Sequence, residues 1–170
     1  MRAAKKLFTD YAGMIGVWLG LVLLFSLLSE NFFNTRTLGI LANRIPPLTM
    51  IAIGMTYVLI IAGIDLSVGS VLGLCGALVG LALVDWQWPI LPAALLAMAA
   101  GAAVGTINGS ISAGLGIPSF IVTLGMLEIA RGKAFHLTSS QTKYIGAKIE
   151  PLAKPIATLG VSPAFIIAVG

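Results

Sequence analysis

A single aspartate separates two long apolar stretches of this chain. Residues 45–64 contain no charged side chain and neither do residues 66–84, so Asp65 is the one charge between them. Each stretch approaches the roughly 20 apolar residues that cross a bilayer as a helix. A carboxylate at the centre of a bilayer costs about 3 kcal/mol or more. Asp65 is therefore expected at a membrane surface, inside a protein interior or beside water.

The composition is that of an integral membrane protein. Hydrophobic residues make up 58% of the chain and charged residues 9%, and the mean hydropathy is +1.04. Ordinary soluble domains carry about 25% charged residues. The basic residues are scattered near the ends of apolar runs, so the net charge of +4 does not indicate a nucleic-acid partner. We expect an all-α polytopic transmembrane helix bundle whose surroundings are the lipid bilayer.

The apolar runs predict a series of membrane spans within a single domain. They lie near residues 11–29, 46–64, 66–84, 89–107, 111–130 and 156–170 onward. The first run has 19 uncharged residues, which is longer than the core of a cleaved signal peptide, so we expect it to be retained. Arg2, Lys5 and Lys6 precede it and favour a cytoplasmic N-terminus. The last run lacks a flanking charge, which predicts that the chain is the N-terminal part of a longer protein.

Proline, glycine and tryptophan predict where these runs begin and end. Pro46 and Pro47 are expected to open the second run, because proline is tolerated at the start of a helix. Residues 85–89 contain two tryptophans and are expected to form a turn at headgroup depth. The 42 uncharged residues from 86 to 127 are enough for two spans. The break between them is predicted at residues 108–110 or at residues 114–118.

Glycines recur at the spacing that lets helices approach closely. The pattern occurs at Gly101, Gly105 and Gly109, at Gly69 and Gly73, at Gly76 and Gly80, and at Gly16 and Gly20. Such strips predict tight packing between helices. A surface on which helices slide during transport is the alternative, and static packing is favoured because small residues serve packing first.

No residue pattern in the chain indicates catalysis. There is no phosphate-binding loop and no metalloprotease motif, and His136 and Cys75 are the only histidine and cysteine. We therefore expect no catalytic residue, cofactor or metal site. Asp65 has two interpretations, a proton relay or substrate contact and a cap for the helix that follows. Capping is favoured, because aspartate accepts hydrogen bonds from unpaired N–H groups at a helix start.

Two segments resemble the signatures of one transporter family. Residues 50–70 read MIAIGMTYVLIIAGIDLSVGS, and residues 118–126 read PSFIVTLGM with IARG following at 129–132. Both resemble permease subunits of ribose-type monosaccharide ABC importers, and the resemblance covers roughly residues 31–133. The residues that carry the two signatures are Gly63, Asp65, Leu66, Ser67, Gly69, Pro118, Gly125, Arg131 and Gly132. The chain departs from the pattern at Ala62, where glycine or threonine is usual.

The resemblance implies a protein of the bacterial inner membrane. A full-length member would have roughly ten spans and work by alternating access, and this chain would supply the N-terminal half. Its implied partners are a second copy or a homologous permease, two cytoplasmic ATP-binding subunits and a periplasmic sugar-binding protein. ATP hydrolysis is thus expected in a separate subunit.

The expected substrate is a ribose-, xylose- or galactose-like monosaccharide. A permease of the same family for autoinducer or branched-chain amino acids is the alternative, and a secondary transporter, for which Asp65 is the only candidate coupling carboxylate, is less favoured. Small polar residues are candidates to line the pathway, although hydrogen bonding between helices explains them equally well. They are Asn108, Ser110, Ser119 and Thr123.

Counting spans from a cytoplasmic N-terminus predicts the side of each connection. Asp65 falls in the cytoplasm, and residues 30–44, Asp85 and residues 131–154 fall in the periplasm. This count places several basic residues against the positive-inside rule. A re-entrant stretch at residues 114–118 would reverse the last assignment. We keep the simple count, because the resemblance places the loop at 131–154 where the binding protein docks.

Overall fold

The computed structural model describes residues 2–146, 148 and 149, and this part of the chain is all-α. Its helices are α1 (Arg2–Leu28), α2 (Thr35–Ile60), α3 (Val68–Gly80), α4 (Ile90–Leu115) and α5 (Ser119–Thr138). A π-helical segment (Leu81–Asp85) continues α3 without interruption. The expected fold class is confirmed. The run predicted at 156–170 lies outside the described residues.

Three helical stretches in the described part of the chain are long and apolar enough to cross a membrane. They are Tyr11–Leu28, Val68–Asp85 and Ile90–Leu115. No more than 22% of any of these stretches is buried within the protein. Large apolar side chains such as Leu91 and Met98 therefore face outward, as the hydrocarbon of a bilayer requires.

The start of α2 differs from the expectation. The helix begins at Thr35, so Pro46 and Pro47 lie inside it, and the segment predicted as a polar connection is largely helical. Asn34 stands immediately before the helix and has the side chain preferred at an N-cap. The apolar part of α2, Pro47–Ile60, is shorter than a full span. Scattered polar residues led us to place the helix start too late.

The break between the fourth and fifth predicted spans lies at the second of the two expected positions. Helix α4 continues through residues 108–110 and ends at Leu115, so the boundary drawn at 108–110 was wrong. Gly116 adopts the left-handed conformation, with φ of 66°, and Pro118 precedes α5. Asparagine and glycine within a long apolar run did not interrupt the helix, because neither blocks a backbone hydrogen bond as proline does.

Helices α3, α4 and α5 form the packed part of the molecule. Helix α3 packs against both α4 and α5, whereas neither α1 nor α2 packs extensively against another described helix. Met126 and Ala130 on α5 are buried, and a small buried cluster lies at one end of this three-helix unit. It comprises Ala82, Leu83 and Ala93, packed against Val79, Leu96, Ile145 and Ile149.

The predicted glycine strip on α4 packs less than expected. A Cβ added at Gly101 would lie 3.6 Å from the Cys75 sulfur on α3, which is ordinary contact. At Gly105 and Gly109 an added Cβ would meet nothing within 4 Å. The strip on α4 therefore touches α3 only near Gly101, and in the described residues the rest of it borders open space.

Candidate functional site at the Asp65 loop

Residues 61–67, here called the Asp65 loop, connect α2 to α3 and begin with a tight helix end. The Gly63 N–H donates to the Val58 carbonyl at 2.9 Å, and the Ala62 N–H donates to the Leu59 carbonyl at 2.9 Å. This pair of bonds is a Schellman motif, in which one residue takes the left-handed conformation that glycine favours. Here that residue is Ala62, with φ of 57°. The chain thus departs from the family pattern where its backbone is left-handed.

Two hydroxyl groups on α5 hold the backbone of the Asp65 loop. Ser119 Oγ accepts from the Ile64 N–H at 2.9 Å, and Thr123 Oγ1 accepts from the Leu66 N–H at 3.0 Å. The Thr123 hydroxyl also lies 3.3 Å from the Ile64 carbonyl, to which it can donate. Ser119 and Thr123 are four residues apart and so occupy one face of α5. Two signature segments that are distant in sequence are joined by these bonds.

Asp65 connects the loop to the start of α3. Its Oδ1 accepts from the Ser67 N–H at 2.8 Å and from the Ser67 hydroxyl at 2.7 Å. Asp65 thereby satisfies the N–H of Ser67, which lies before the helix, and not the unpaired N–H groups of the first turn that the capping hypothesis names. The N-cap position itself belongs to Ser67, whose side chain makes no capping bond.

Asn108 extends this cluster to α4. Its Nδ2 donates to Ser67 Oγ at 3.1 Å, and the residue is only 7% exposed. Ser67 and Thr123 are buried as well, with exposures of 1% and 3%. Side chains from the loop, α4 and α5 thus form one largely buried polar cluster. We call it the polar cluster; its members are Asp65, Ser67, Asn108, Ser119 and Thr123.

Gly63 leaves little room for a side chain where the loop meets α5. A Cβ at this position would lie 3.1 Å from both Val58 Cγ1 and the Val58 carbonyl oxygen and 3.3 Å from Ser119 Oγ. These distances are shorter than normal contacts, so a larger residue would displace the serine that holds the Ile64 N–H.

Other predicted residues lie apart from the polar cluster. Ser110 is exposed, and so are Gly125, Arg131 and Gly132 along α5. Arg131 borders a separate groove of about 580 Å³ between α3 and α5, whose floor includes Gly69 and Gly73. His136 is exposed near the end of α5, and no group of metal-ligating side chains occurs in the part of the chain that the structure describes. Whether any of these residues lines a pathway stays a prediction.

A second set of contacts lies at the opposite end of α3 and was not foreseen from the sequence. Lys143 Nζ donates to both carboxylate oxygens of Asp85, at 2.9 and 2.8 Å. Lys148 Nζ donates to the Leu83 carbonyl and, at 2.7 Å, to Gln87 Oε1. The pairs are separated by 58 to 65 residues, so no local pattern predicts them. They place Asp85 and the start of the segment after α5 at the same end of the bundle.

Comparison with known proteins identifies the family. Residues 37–168 match the family described as branched-chain amino acid transport system / permease component. The chain belongs to this permease family. The resemblance found in the two signatures is thereby confirmed, and the permease is a multi-pass protein of the inner membrane.

The permease has close relatives among curated proteins. It is 34% identical over 154 residues to the autoinducer 2 import system permease protein LsrC of Enterobacter sp. strain 638, which covers 88% of this chain and 44% of that protein. The protein of the same name from Yersinia enterocolitica is 34% identical over 146 residues, or 85% of this chain and 40% of its own length. The chain thus spans less than half the length of these relatives. No solved structure matches the permease.

Proposed function

We propose that the chain is the membrane-spanning part of an ATP-driven importer and that autoinducer 2 is its solute. The observation that carries this proposal is the similarity to two permeases of autoinducer 2 import systems over most of the chain. Autoinducer, which the sequence analysis gave as the alternative solute, thus has better support than the monosaccharide that it gave first. Import of a ribose-like monosaccharide is the second candidate, favoured by the signatures at residues 50–70 and 118–132.

The proposed partners follow from the importer architecture. They are a second permease, two cytoplasmic ATP-binding subunits and a periplasmic solute-binding protein. The permease is a transporter component and not an enzyme, so the work of ATP hydrolysis has to reach it through a change in helix arrangement. We propose that binding protein and ATP-binding subunits favour different arrangements, and that their differential affinities shift the population between them.

The polar cluster supplies a rigid element for such a change. Its hydrogen bonds join the loop that follows α2, the start of α3, the C-terminal half of α4 and the first turns of α5. Bonds of this kind in a membrane are worth about 0.6 to 2 kcal/mol each. We therefore propose that these helix ends move together while α1 and the rest of α2, which are sparsely packed, adjust to partners.

Uptake by the reconstituted importer tests the solute. The permease in its natural full length is combined with its binding protein and ATP-binding subunits in proteoliposomes, and uptake of autoinducer 2 and of D-ribose is compared. We expect ATP-dependent uptake of autoinducer 2 that greatly exceeds that of ribose. The control is an ATP-binding subunit that binds but does not hydrolyse ATP, which should abolish uptake. Preferential ribose uptake would favour the second candidate, and uptake that survives the control would contradict an ATP-driven importer.

A further inference from the structure

Helix α5 carries charged side chains in its C-terminal part, unlike the two helices that pack against it. Glu128, Arg131 and Lys133 follow one another there. Helix α4 carries no charged residue, and neither does α3 with its continuation before Asp85. In the described part of the chain, α5 is accordingly not among the stretches apolar enough to cross a membrane. Ionisable side chains within membrane helices face a protein interior or water, and they mark solute and ion paths.

Arg131 lies level with the middle of α3. Hydrogen bonds at the two ends of α3 join it to α5 and to the segment after α5, so the two helices run in the same direction. Arg131 is eight residues beyond Thr123, or about 12 Å along the helix axis. It meets Gly73 across a groove, inside the apolar stretch Val68–Asp85. The guanidinium is thus at hydrocarbon depth, where lipid is a strongly unfavourable neighbour for a charge.

The Arg131 guanidinium is accessible, and it makes no hydrogen bond within the part of the chain that the structure describes. Its side chain is 61% exposed, and Nη1 lies 4.0 Å from Glu128 Oε1. That distance joins an ion pair but is too long for a hydrogen bond. A guanidinium has only donors and stays charged in proteins. Its N–H groups therefore require water or the oxygens of a ligand.

The groove between α3 and α5 combines this donor with an aromatic ring. Its volume of about 580 Å³ is within the range of small-molecule sites. Phe135 lies one helical turn after Arg131 and also lines the groove, and Ser70 supplies a hydroxyl group from α3. Lys143 borders the groove as well, but its charge is balanced by Asp85 at 2.8 Å. Aromatic and apolar walls with a few polar groups are typical of sites for small molecules.

We infer that this groove is a water-filled part of the import path, and that Arg131 donates hydrogen bonds there to hydroxyl oxygens of a neutral polyhydroxylated solute. The Phe135 ring packs on the carbon-bound face of the solute. The inference rests on the proposed function and deepens it by assigning a contact point for the solute. An anionic solute is disfavoured, because carboxylates of Glu128 and Asp85 already lie beside the two cations of the groove.

Cysteine accessibility tests whether the groove contains water. The full-length importer is assembled in proteoliposomes with Cys75 replaced by serine. Ala134→Cys places a thiol on the groove wall, and Met98→Cys is the control, because Met98 is 69% exposed on the apolar helix α4. We expect a charged methanethiosulfonate reagent to modify the Ala134→Cys variant severalfold faster than the Met98→Cys variant, since it reacts only where water reaches the thiol.

Protection from the same reagent tests contact with the solute. Autoinducer 2 and D-ribose serve as hydroxyl-bearing probes, tetrahydrofuran as a ring without hydroxyl groups, and sodium phosphate as the anion probe. We expect the solute that the importer takes up to slow modification of the Ala134→Cys variant severalfold. Tetrahydrofuran and sodium phosphate should leave the rate unchanged.

Replacing Arg131 tests its part in binding. Arg131→Gln should raise the KM of uptake severalfold and change kcat less, because it removes the charged donors that hold the solute. Lys133→Gln is the matched control: it removes the same charge from the same helix, but Lys133 does not line the groove, and the KM should not change. The protection of the Ala134→Cys variant is measured with Arg131 in place, so it does not depend on whether the Arg131 variant assembles.

Other outcomes overturn the inference. Equally slow modification of the two cysteine variants would show that the groove is dry. Protection by sodium phosphate would indicate an anion site, and equal protection by tetrahydrofuran would indicate simple filling of an apolar space. ATP-dependent uptake without protection of the Ala134→Cys variant would refute the site while leaving the importer function intact. Protection by a hydroxyl-bearing probe without ATP-dependent uptake would instead refute the proposed function.

Discussion

Ala62 holds a backbone conformation that normally selects glycine. Its φ of 57° completes the helix end before the Asp65 loop, whereas the comparable position after α4 is Gly116, with φ of 66°. A left-handed residue with a Cβ costs about 1–2 kcal/mol relative to the right-handed form. The loop that carries Asp65 is therefore strained at its first turn.

Replacing Ala62 by glycine should stabilise the protein. We expect Ala62→Gly to raise the free energy of unfolding by up to about 1 kcal/mol, because the strain at the Cβ is removed. The greater backbone entropy that glycine loses on folding offsets part of this gain. The measurement is thermal unfolding in detergent. Gly116→Ala is the matched reverse change: an added Cβ there meets nothing within 4 Å, so its loss of stability reports the backbone alone. A lower melting temperature for Ala62→Gly would contradict the strain at this residue.

Asp65 matters as an acceptor of two hydrogen bonds. We expect Asp65→Asn to retain an acceptor oxygen for Ser67 and to keep most of the assembled protein. Asp65→Leu should cost about 1–3 kcal/mol, because it leaves two donors of Ser67 unpaired. Protein abundance in membranes and uptake by the importer are measured together. Full abundance with abolished uptake in Asp65→Asn would show that the negative charge itself is needed.

The first turns of α5 hold the backbone of the Asp65 loop in place. Pro118 sets the start of the helix, and Ser119 and Thr123 then present their hydroxyl groups to backbone N–H groups of the Asp65 loop. At the opposite end of α3, the π-helical segment brings Asp85 to Lys143. Each end of α3 is thus fixed by contacts to the segment that contains or follows α5.

Removing the Thr123 hydroxyl should loosen the start of α3. Thr123→Val keeps the shape but leaves the partly buried Leu66 N–H without its acceptor, so we expect a loss of about 0.5–1.5 kcal/mol in the free energy of unfolding. Thr56→Val is the control, because the Thr56 hydroxyl bonds within its own helix to the Ala52 carbonyl and is exposed. Hydrogen exchange of the Leu66 amide provides the local measurement. Equal effects of the two substitutions would argue against the support that α5 gives to the loop.

For the whole protein, the contacts determine which connections share a side of the membrane. Helices α3, α4 and α5 follow one another through short connections, and the bonds of Lys143 place residues 85 and 143 at one end. The Asp65 loop and the start of α5 lie together at the other end. We therefore expect the two ends on opposite sides of the membrane, and the cytoplasmic side of Asp65 stays a prediction as well.

Cysteine labelling tests this arrangement. With Cys75 replaced by serine, we expect Gln141→Cys to react with an impermeant maleimide added to intact spheroplasts, because this end is predicted to face the periplasm. Leu115→Cys, which lies at the other end of α4, should react only after the membrane is opened. The reverse pattern would invert the orientation, and labelling of both sites from one side would contradict the alternation of the helices.

The sequence predicted helix content and family well, and specific contacts poorly. Uncharged runs revealed the apolar helices, because the cost of a charge in lipid leaves a strong local signal. The start of α2 was misplaced because helices tolerate scattered polar residues. The cluster around Asp65 was anticipated only as a cap: which hydroxyl meets which amide depends on how α5 crosses the loop. No sequence pattern indicated the hydrogen bonds of Lys143 and Lys148, since their partners lie on a distant part of the chain.

The packing of α3 against α4 and α5 has a consequence for synthesis. Every extensive contact in the described residues joins segments between the Asp65 loop and Ile149, and none needs α1 or α2 as a partner. The packing of α3 on α5 encloses only one helix, so little loop-closure entropy is lost before these contacts form. The α3–α5 unit can therefore dock in the membrane while the ribosome is still adding later residues. The order of assembly then follows the order of synthesis. The Asp65 loop becomes fixed only after Thr123 has left the ribosome, because Thr123 supplies the acceptor for the Leu66 N–H.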